Sequence, residues 1–243
     1  MNYAIILSGG TGTRLGLDIP KQYYEVNNKP IIGYVVDTLE ACGAVDGIII
    51  VAEHKWRSFI VEKAMPVSKF LGFAEPGENR QLSIYNGLLF LRDYLEHAKC
   101  EKTIARQRAT EDVLVLIQDA ARPCTSLELI LRCFAISHNE DGAMPVLPMK
   151  DTVYLSRTGE RVDELLKRQE IFAGQAPEVF RFQKYLKANE ALLPDRIMSI
   201  NGSSEPAVLA GMNIKMVPGD ENNYKITTEA DLKRFCGDIS EMV

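Results

Sequence analysis

An α/β fold with a mainly parallel sheet and helices on both faces is predicted by three observations. Short apolar runs alternate with segments whose apolar residues recur at helical spacing, which is the pattern of successive βαβ units. The 243 residues, 46% of them hydrophobic, suffice for one large core without disulfides or metals to staple it. A glycine-rich loop follows the first apolar run directly, where an open α/β sheet places its ligand crevice.

Taken in order, Tyr3–Leu7 reads as a buried strand and Ile31–Ala41 as the first clear helix. Strands are expected at Gly47–Val51, Phe70–Ala74, Val113–Ile117 and Ala143–Leu147, with helices at Leu82–Leu95 and Leu127–Ser137. Ser126 suits the N-cap of the last, and Glu128 places a negative charge in its first turn. The charged stretch Lys99 to Glu111 lacks a periodic apolar face and reads as a solvated loop. Beyond Pro148 the helix–strand alternation breaks: Asp151–Leu155 looks extended and Thr158-Gly159 looks like a turn, so residues 149–171 read as a protruding hairpin arm on a single domain spanning 1–243. An arm with so little core of its own is expected to pack against a second subunit. A strand near Ile214–Val217 and a helix from Thr228 to Phe235 close the chain.

Composition excludes several function classes. A net charge of -5 with no long Lys/Arg run argues against nonspecific nucleic-acid binding. The five cysteines are odd in number, widely spaced and without a C-x-x-C, so neither a disulfide framework nor a zinc site is indicated, and a reducing cytoplasm fits. No run is long enough to cross a bilayer, and the amino terminus enters a strand without a basic leader. His54, His97 and His138 stand apart from one another, in no nucleophile or metal-ligand pattern.

The chemistry concentrates in Leu7-Ser8-Gly9-Gly10-Thr11-Gly12-Thr13-Arg14-Leu15-Gly16 and Pro20-Lys21-Gln22. Closely spaced glycines let backbone N–H groups approach an anion, and Arg14 and Lys21 add the full charges that amides lack. Such a loop is built to hold a polyphosphate, although the spacing is neither a P-loop nor G-x-G-x-x-G, and a bare tight turn is the other reading. Asp119, at the end of the fourth apolar run, is a carboxylate suited to holding Mg²⁺ with phosphate co-ligands, or to capping the following turn. Lys225, ahead of the last helix, can bring a third cation to the same crevice or stay solvated.

Together, the glycine loop with Pro20-Lys21-Gln22-Tyr23, then Asp119-Ala120-Ala121-Arg122-Pro123, Asp151-Thr152, Gln175-Ala176-Pro177 and Asn223-Tyr224-Lys225-Ile226-Thr227, resemble the 2-C-methyl-D-erythritol 4-phosphate cytidylyltransferases and the related ribitol-5-phosphate cytidylyltransferases over nearly the whole chain. The resemblance implies a Rossmann-like sheet of the nucleotide-diphospho-sugar transferase type and a cytoplasmic, Mg²⁺-dependent transfer of CMP from CTP to a polyol phosphate, releasing pyrophosphate. The product would feed isoprenoid precursors or a surface polymer. Carried over by position, Arg14, Lys21 and Lys225 are implied to stabilise the transferring phosphate, and Asp119 to hold Mg²⁺. Gly9, Gly10, Thr11, Gly12, Thr13, Arg80 and Ser83 are implied to bind CTP. Thr152 and Arg168 are implied to hold the acceptor phosphate from the arm of a neighbouring subunit in a homodimer, with Arg122 nearby.

Three positions depart from the usual pattern: Gln118 stands where His is common, Ala176 where Thr is common, and Asn201–Ala207 where an acidic Thr-Asp-Asp/Glu-Ala element is common. Two other readings stay open on the residues: a nucleotidyltransferase of the same fold using another NTP on a sugar phosphate, and a catalytically silent nucleotide-binding protein.

Overall fold

A computed structural model describes residues 1–10, 19–65, 67–100 and 113–240, apart from the side chains of 98–100. Its first strand, β1 (Asn2–Leu7), pairs in parallel with β4 (Gly47–Val51) on one edge and β6 (Leu114–Asp119) on the other. β4 continues in parallel to β5 (Phe70–Ala74). Every residue of β4 and β6 is buried, which explains why both appear in the sequence as unbroken apolar runs rather than alternating ones.

The other half of the sheet is mixed. β11 (Glu178–Arg181) lies antiparallel between β6 and β7 (Gly142–Pro148), and β10 (Phe172–Gly174) pairs antiparallel with the far end of β7. β12 (Ile214–Pro218) runs parallel to β7. The order is β10-β7-β11-β6-β1-β4-β5, with β12 on β7. Helices cover both faces. α1 (Ile31–Ala41), α2 (His54–Ala64) and α4 (Leu127–Ser137) pack on the face carrying Ala4, Ile6, Leu114 and Leu116. α3 (Arg80–Cys100), α5 (Phe182–Glu190) and α6 (Glu205–Leu209) pack on the face carrying Ile5, Val115, Ile117 and Phe180. The alternation of even and odd strand residues between the two clusters is the period-two signature of a strand buried on both sides.

α7 (Glu229–Ser240) closes a small third cluster in which Leu232 and Phe235 meet Val26, Ile31 and Ile226. Val26 belongs to a short antiparallel ladder, β2 (Glu25–Val26) with β3 (Lys29–Pro30). The remaining pair, β8 (Val153–Leu155) and β9 (Glu164–Leu166), forms a separate two-stranded hairpin with Gly159 at φ +78° in its turn.

The mainly parallel α/β architecture is as expected, and α1, α4, β4 and β5 have the predicted limits. Ser126 caps α4, its Oγ accepting from Leu129 N at 3.2 Å. Two of the differences from expectation concern elements that border the site, and α2, α5, α6, β2, β3 and β10 also lie where no element was expected. α3 runs on to Cys100, through Lys99 and Cys100 that read as loop; residues 101–111 of that stretch lie outside the described residues. β11 was not anticipated: four residues starting with a glutamate carry too little alternation to signal a strand.

Candidate active site

The carboxyl ends of β1 and β6 adjoin in register, Leu7 opposite Asp119, so whatever follows each strand opens into one crevice. That crevice is a cleft of about 430 Å³. Gly9, Gly10 and Lys21 line it from the loop after β1, Arg80 and Ser83 from the start of α3, Asp119 from β6 and Lys225 from the segment before α7. Thr11, Gly12, Thr13 and Arg14 lie outside the described residues.

The loop after β1 is shaped by side chains the sequence reading left without a role. Gln22, buried, donates through Nε2 to Ser8 O at 2.7 Å and Gly10 O at 2.8 Å, holding the strand exit against the turn that carries Lys21. Tyr23 OH donates to Ser8 O at 3.0 Å and its ring stacks on Trp56 at 4.5 Å. Gly9 is required here because a Cβ would lie 2.6 Å from Pro76 Cβ. The loop after β5 therefore meets the loop after β1 at a distance only glycine allows.

At the opposite wall Asp119 is 7% exposed and gathers three cations. Its Oδ1 is 3.0 Å from Arg80 Nη2, while its Oδ2 is 3.0 Å from Lys225 Nζ and 3.4 Å from Arg122 Nε. Burial alone would raise its pKa, but the charges of Arg80, then Lys225, then Arg122 outweigh burial and hold it well below the usual carboxylate range. Asp119 is thus ionised at any physiological pH, and the three cations exceed it in charge.

Arg80 is placed by the capping of α3: Asn79 Oδ1 accepts from Leu82 N at 2.7 Å, and Asn79 Nδ2 donates to Ile197 O at 2.9 Å. Ser83 Oγ accepts from Gly77 N at 3.0 Å and donates to Asn79 O at 2.9 Å, so this hydroxyl braces the turn that forms the cleft wall. Behind Arg80 stands Glu178, 6% exposed, paired with Ile117 and so on the same sheet face as Asp119 two residues further along β6. Ser203 Oγ donates to its Oε2. Burial pushes Glu178 up to about 7, against the pull of Arg80 and Arg122 and with the push of Asp119. Glu178 lies just beyond the Gln175-Ala176-Pro177 motif, and the sequence gives no sign that it is buried.

The chain brings together Gly9, Gly10, Lys21, Arg80, Ser83, Asp119 and Lys225, with Arg122 beside them through Asp119. Thr152 and Arg168 lie elsewhere, exposed at the base of the β8–β9 hairpin, where Arg168 Nη1 donates to Lys150 O at 2.7 Å. Gln118 is buried and donates through Nε2 to Thr125 Oγ1 at 2.9 Å, and its Oε1 has no hydrogen-bond partner among the described residues. For a divalent cation, no group of three or more His, Cys, Asp or Glu exists among the described residues. A metal here would take Asp119 as its protein oxygen and complete its shell with phosphate and water, a donor set that fits Mg²⁺ and not zinc.

Comparison with known proteins follows the same lines. Residues 2–235 match the model of the 2-C-methyl-D-erythritol 4-phosphate cytidylyltransferase family. The enzyme of that name from Rubrobacter xylanophilus is 31% identical over 94% of this chain and 90% of its own. The ribitol-5-phosphate cytidylyltransferase of a Streptococcus agalactiae serotype III strain is 28% identical over 97% of this chain and 94% of its own. Among solved structures, the Francisella tularensis 2-C-methyl-D-erythritol 4-phosphate cytidylyltransferase superposes with a TM-score of 0.74 at 25% identity, covering 96% of this chain and 97% of that one. An Anaerococcus prevotii 4-diphosphocytidyl-2C-methyl-D-erythritol synthase shares the fold at a TM-score of 0.76 and 23% identity, covering 98% and 96%. With a glycine turn and a cation cluster facing each other across one cleft, and a family match over almost its full length, the chain belongs to the 2-C-methyl-D-erythritol 4-phosphate cytidylyltransferase family and is a CTP-dependent cytidylyltransferase.

Proposed function

We propose that the protein transfers CMP from CTP to a small polyol phosphate of the methylerythritol 4-phosphate or ribitol 5-phosphate kind. The observation that carries this is the gathering of Arg80, Arg122 and Lys225 on one ionised carboxylate, opposite Gly9, Gly10 and Lys21. An acceptor phosphate oxygen attacks the α-phosphorus of CTP, the α–β bridging P–O bond breaks, and pyrophosphate leaves. Two polyanions must meet, so positioning and charge stabilisation supply the catalysis, and a phosphate dianion needs no general base.

In this reading Gly9, Gly10, Thr11, Gly12 and Thr13 hold the triphosphate through backbone N–H groups, with Arg80 and the Ser83-braced turn lining the nucleoside side. Arg14, Lys21 and Lys225 stabilise charge on the transferring phosphoryl group. Asp119 would hold Mg²⁺, which when bound neutralises phosphate charge and orients the leaving pyrophosphate. Thr152 and Arg168 bind the acceptor phosphate of a neighbouring subunit's site, the arm at 149–171 making a homodimer of single-domain subunits. The cytoplasm is the proposed location: Cys42, Cys124, Cys133 and Cys236 are all free, and among the described residues no helix is long and apolar enough to cross a membrane.

The deciding experiment is a pyrophosphate-release screen with CTP and Mg²⁺ against methylerythritol 4-phosphate, ribitol 5-phosphate and glycerol phosphate. Release with one of the first two, abolished by EDTA and restored by Mg²⁺, is expected. Preference for another NTP, or release undiminished by EDTA, overturns the reading. Arg168→Ala is expected to raise the acceptor KM roughly tenfold, the size of one lost charge-assisted contact, while leaving the KM for CTP unchanged. A shift in the CTP constant instead would remove Arg168 from the acceptor side.

A further inference from the structure

Lys225 and Arg122 reach Asp119 from two different segments, and neither is held there by a helix or strand of its own. Lys225 lies in the irregular stretch between β12 and α7, and Arg122 in the turn after β6. What fixes both is a pair of buried amide side chains. Gln175, at the end of β10 and tied to β7 by its N–H to Pro145 O at 2.8 Å, grips the backbone of Asp220 from both sides. Its Nε2 donates to Asp220 O at 2.9 Å and its Oε1 accepts from Asp220 N at 3.1 Å. The approach is close enough that a Cβ on Gly219 would lie 2.5 Å from Gln175 Oε1.

Asn223, fully buried, carries the grip onward to the cations. Its Nδ2 donates to Ala176 O at 2.6 Å, and its Oδ1 accepts from Thr125 Oγ1 at 2.8 Å. Its backbone O accepts from Arg122 Nη1 at 2.6 Å and from Gln175 Nε2 at 3.3 Å. Three residues further on, Ile226 N donates to Ala121 O at 2.8 Å, so Lys225 is pinned on both sides of its own position. Every polar atom of the Asn223 side chain is thus spent on joining three loops, and none is turned to a ligand.

We propose that Gln175 and Asn223 act as a clamp of positioning residues that sets Lys225 against the transferring phosphate and Arg122 beside it. The proposal rests on the transfer reading given above. Loss of the clamp displaces two cations together, and a displacement of about 1 Å at a reacting centre costs on the order of 10²-fold in rate. Binding of CTP suffers less, because Gly9, Gly10 and Lys21 belong to a separate loop held by Gln22.

The test is a double-mutant cycle on kcat for pyrophosphate release, measured on the full chain with CTP, Mg²⁺ and the acceptor found by the screen. Asn223→Ala is expected to lower kcat on the order of 10²-fold, raise the KM for CTP less than about threefold, and cost clearly less in a Lys225→Ala background, where only the displacement of Arg122 is left to count, since residues acting through one group are not additive. In a Lys21→Ala background the same change is expected to multiply in full. Thr125→Val, which removes the Oγ1 bonds to Asn223 Oδ1, Arg122 O and Gln118 Nε2 but keeps the Asn223 side chain and its bond to Ala176 O, gives the same cycle on a smaller scale should Asn223→Ala not fold, as judged by its thermal midpoint. Normal kcat in the folded Asn223→Ala protein, or a loss that multiplies equally in the Lys225→Ala and Lys21→Ala backgrounds, overturns the clamp. Lys225→Ala by itself tests the transfer reading: wild-type kcat there removes Lys225 from the chemistry, and any kcat loss at Asn223 then counts against the clamp as well.

Discussion

Asp119→Ala is expected to lower kcat on the order of 10³-fold, at the upper end of what one preorganised electrostatic group supplies. The carboxylate is the common anchor of three cations: Arg80 on one oxygen, Lys225 and Arg122 on the other. Without it the cations repel one another and turn toward solvent, so the cleft loses both the proposed Mg²⁺ ligand and the arrangement of positive charge. Stability falls as well. Removing one partner of a fully buried ion pair costs roughly 3–5 kcal/mol, but Arg80 and Lys225 are about a third exposed and regain water, so about 2 kcal/mol is the better expectation. Asp119→Asn separates the two effects, because it keeps the shape and a hydrogen-bond acceptor while dropping the charge. Pyrophosphate release and thermal melts on both variants check this. Near-normal turnover in either variant contradicts the role given to Asp119.

The parts of this site that could be read from the chain alone are those in which a residue type is needed for its own chemistry. Clustered glycines after a buried strand, a carboxylate at a strand end and a lysine before a helix each leave a local reading open, but together they point to one polyphosphate and metal site. Strand and helix positions were legible for the same kind of reason: β4 has five consecutive buried residues, and α1 and α4 carry apolar residues at helical spacing up to their predicted limits. What stayed hidden is everything whose meaning depends on a partner distant in sequence. Arg80 is implied by the resemblance to bind CTP, but its pairing with Asp119, 39 residues away, has no mark in the sequence. Asn223 enters the sequence reading only as part of a motif, with no role of its own until Thr125, 98 residues away, bonds to it. Glu178 is the extreme case, for it opens an antiparallel strand that local periodicity does not signal and meets Ser203 from the other side of α5.

That glutamate gives the second large effect, and its sign can be worked out. The ordinary value of 4.5 applies to the unfolded chain, whereas burial lifts the folded value to about 7. Between these two pH values the folded protein binds the proton and the unfolded chain does not, so stability falls as pH rises through the window and the loss is complete above it. The difference corresponds to about 3 kcal/mol. Asp119 works the opposite way: its folded value lies below 3.8, so its contribution is present above that pH and is lost on acidification.

Replacing Glu178 by glutamine keeps the acceptor for Ser203 Oγ and removes only the titration. Glu178→Gln is therefore expected to exceed the wild type by about 2–3 kcal/mol at about pH 8.5, with the advantage shrinking toward zero as pH falls to about 4.5. Denaturant midpoints across that range measure it directly, and parallel curves for the two proteins would mean that Glu178 titrates as an ordinary surface carboxylate. The groups that face it explain why such a costly residue can persist. Arg80 and Arg122 approach from the cleft side and favour its charge, while Asp119 opposes it. Tyr185 on α5 and Cys133 on α4 are themselves pushed up, first by burial and then by Glu178. When ionised, a second carboxylate behind Arg80 reduces the net charge that three clustered cations would otherwise present, which offsets part of the cost of burying it.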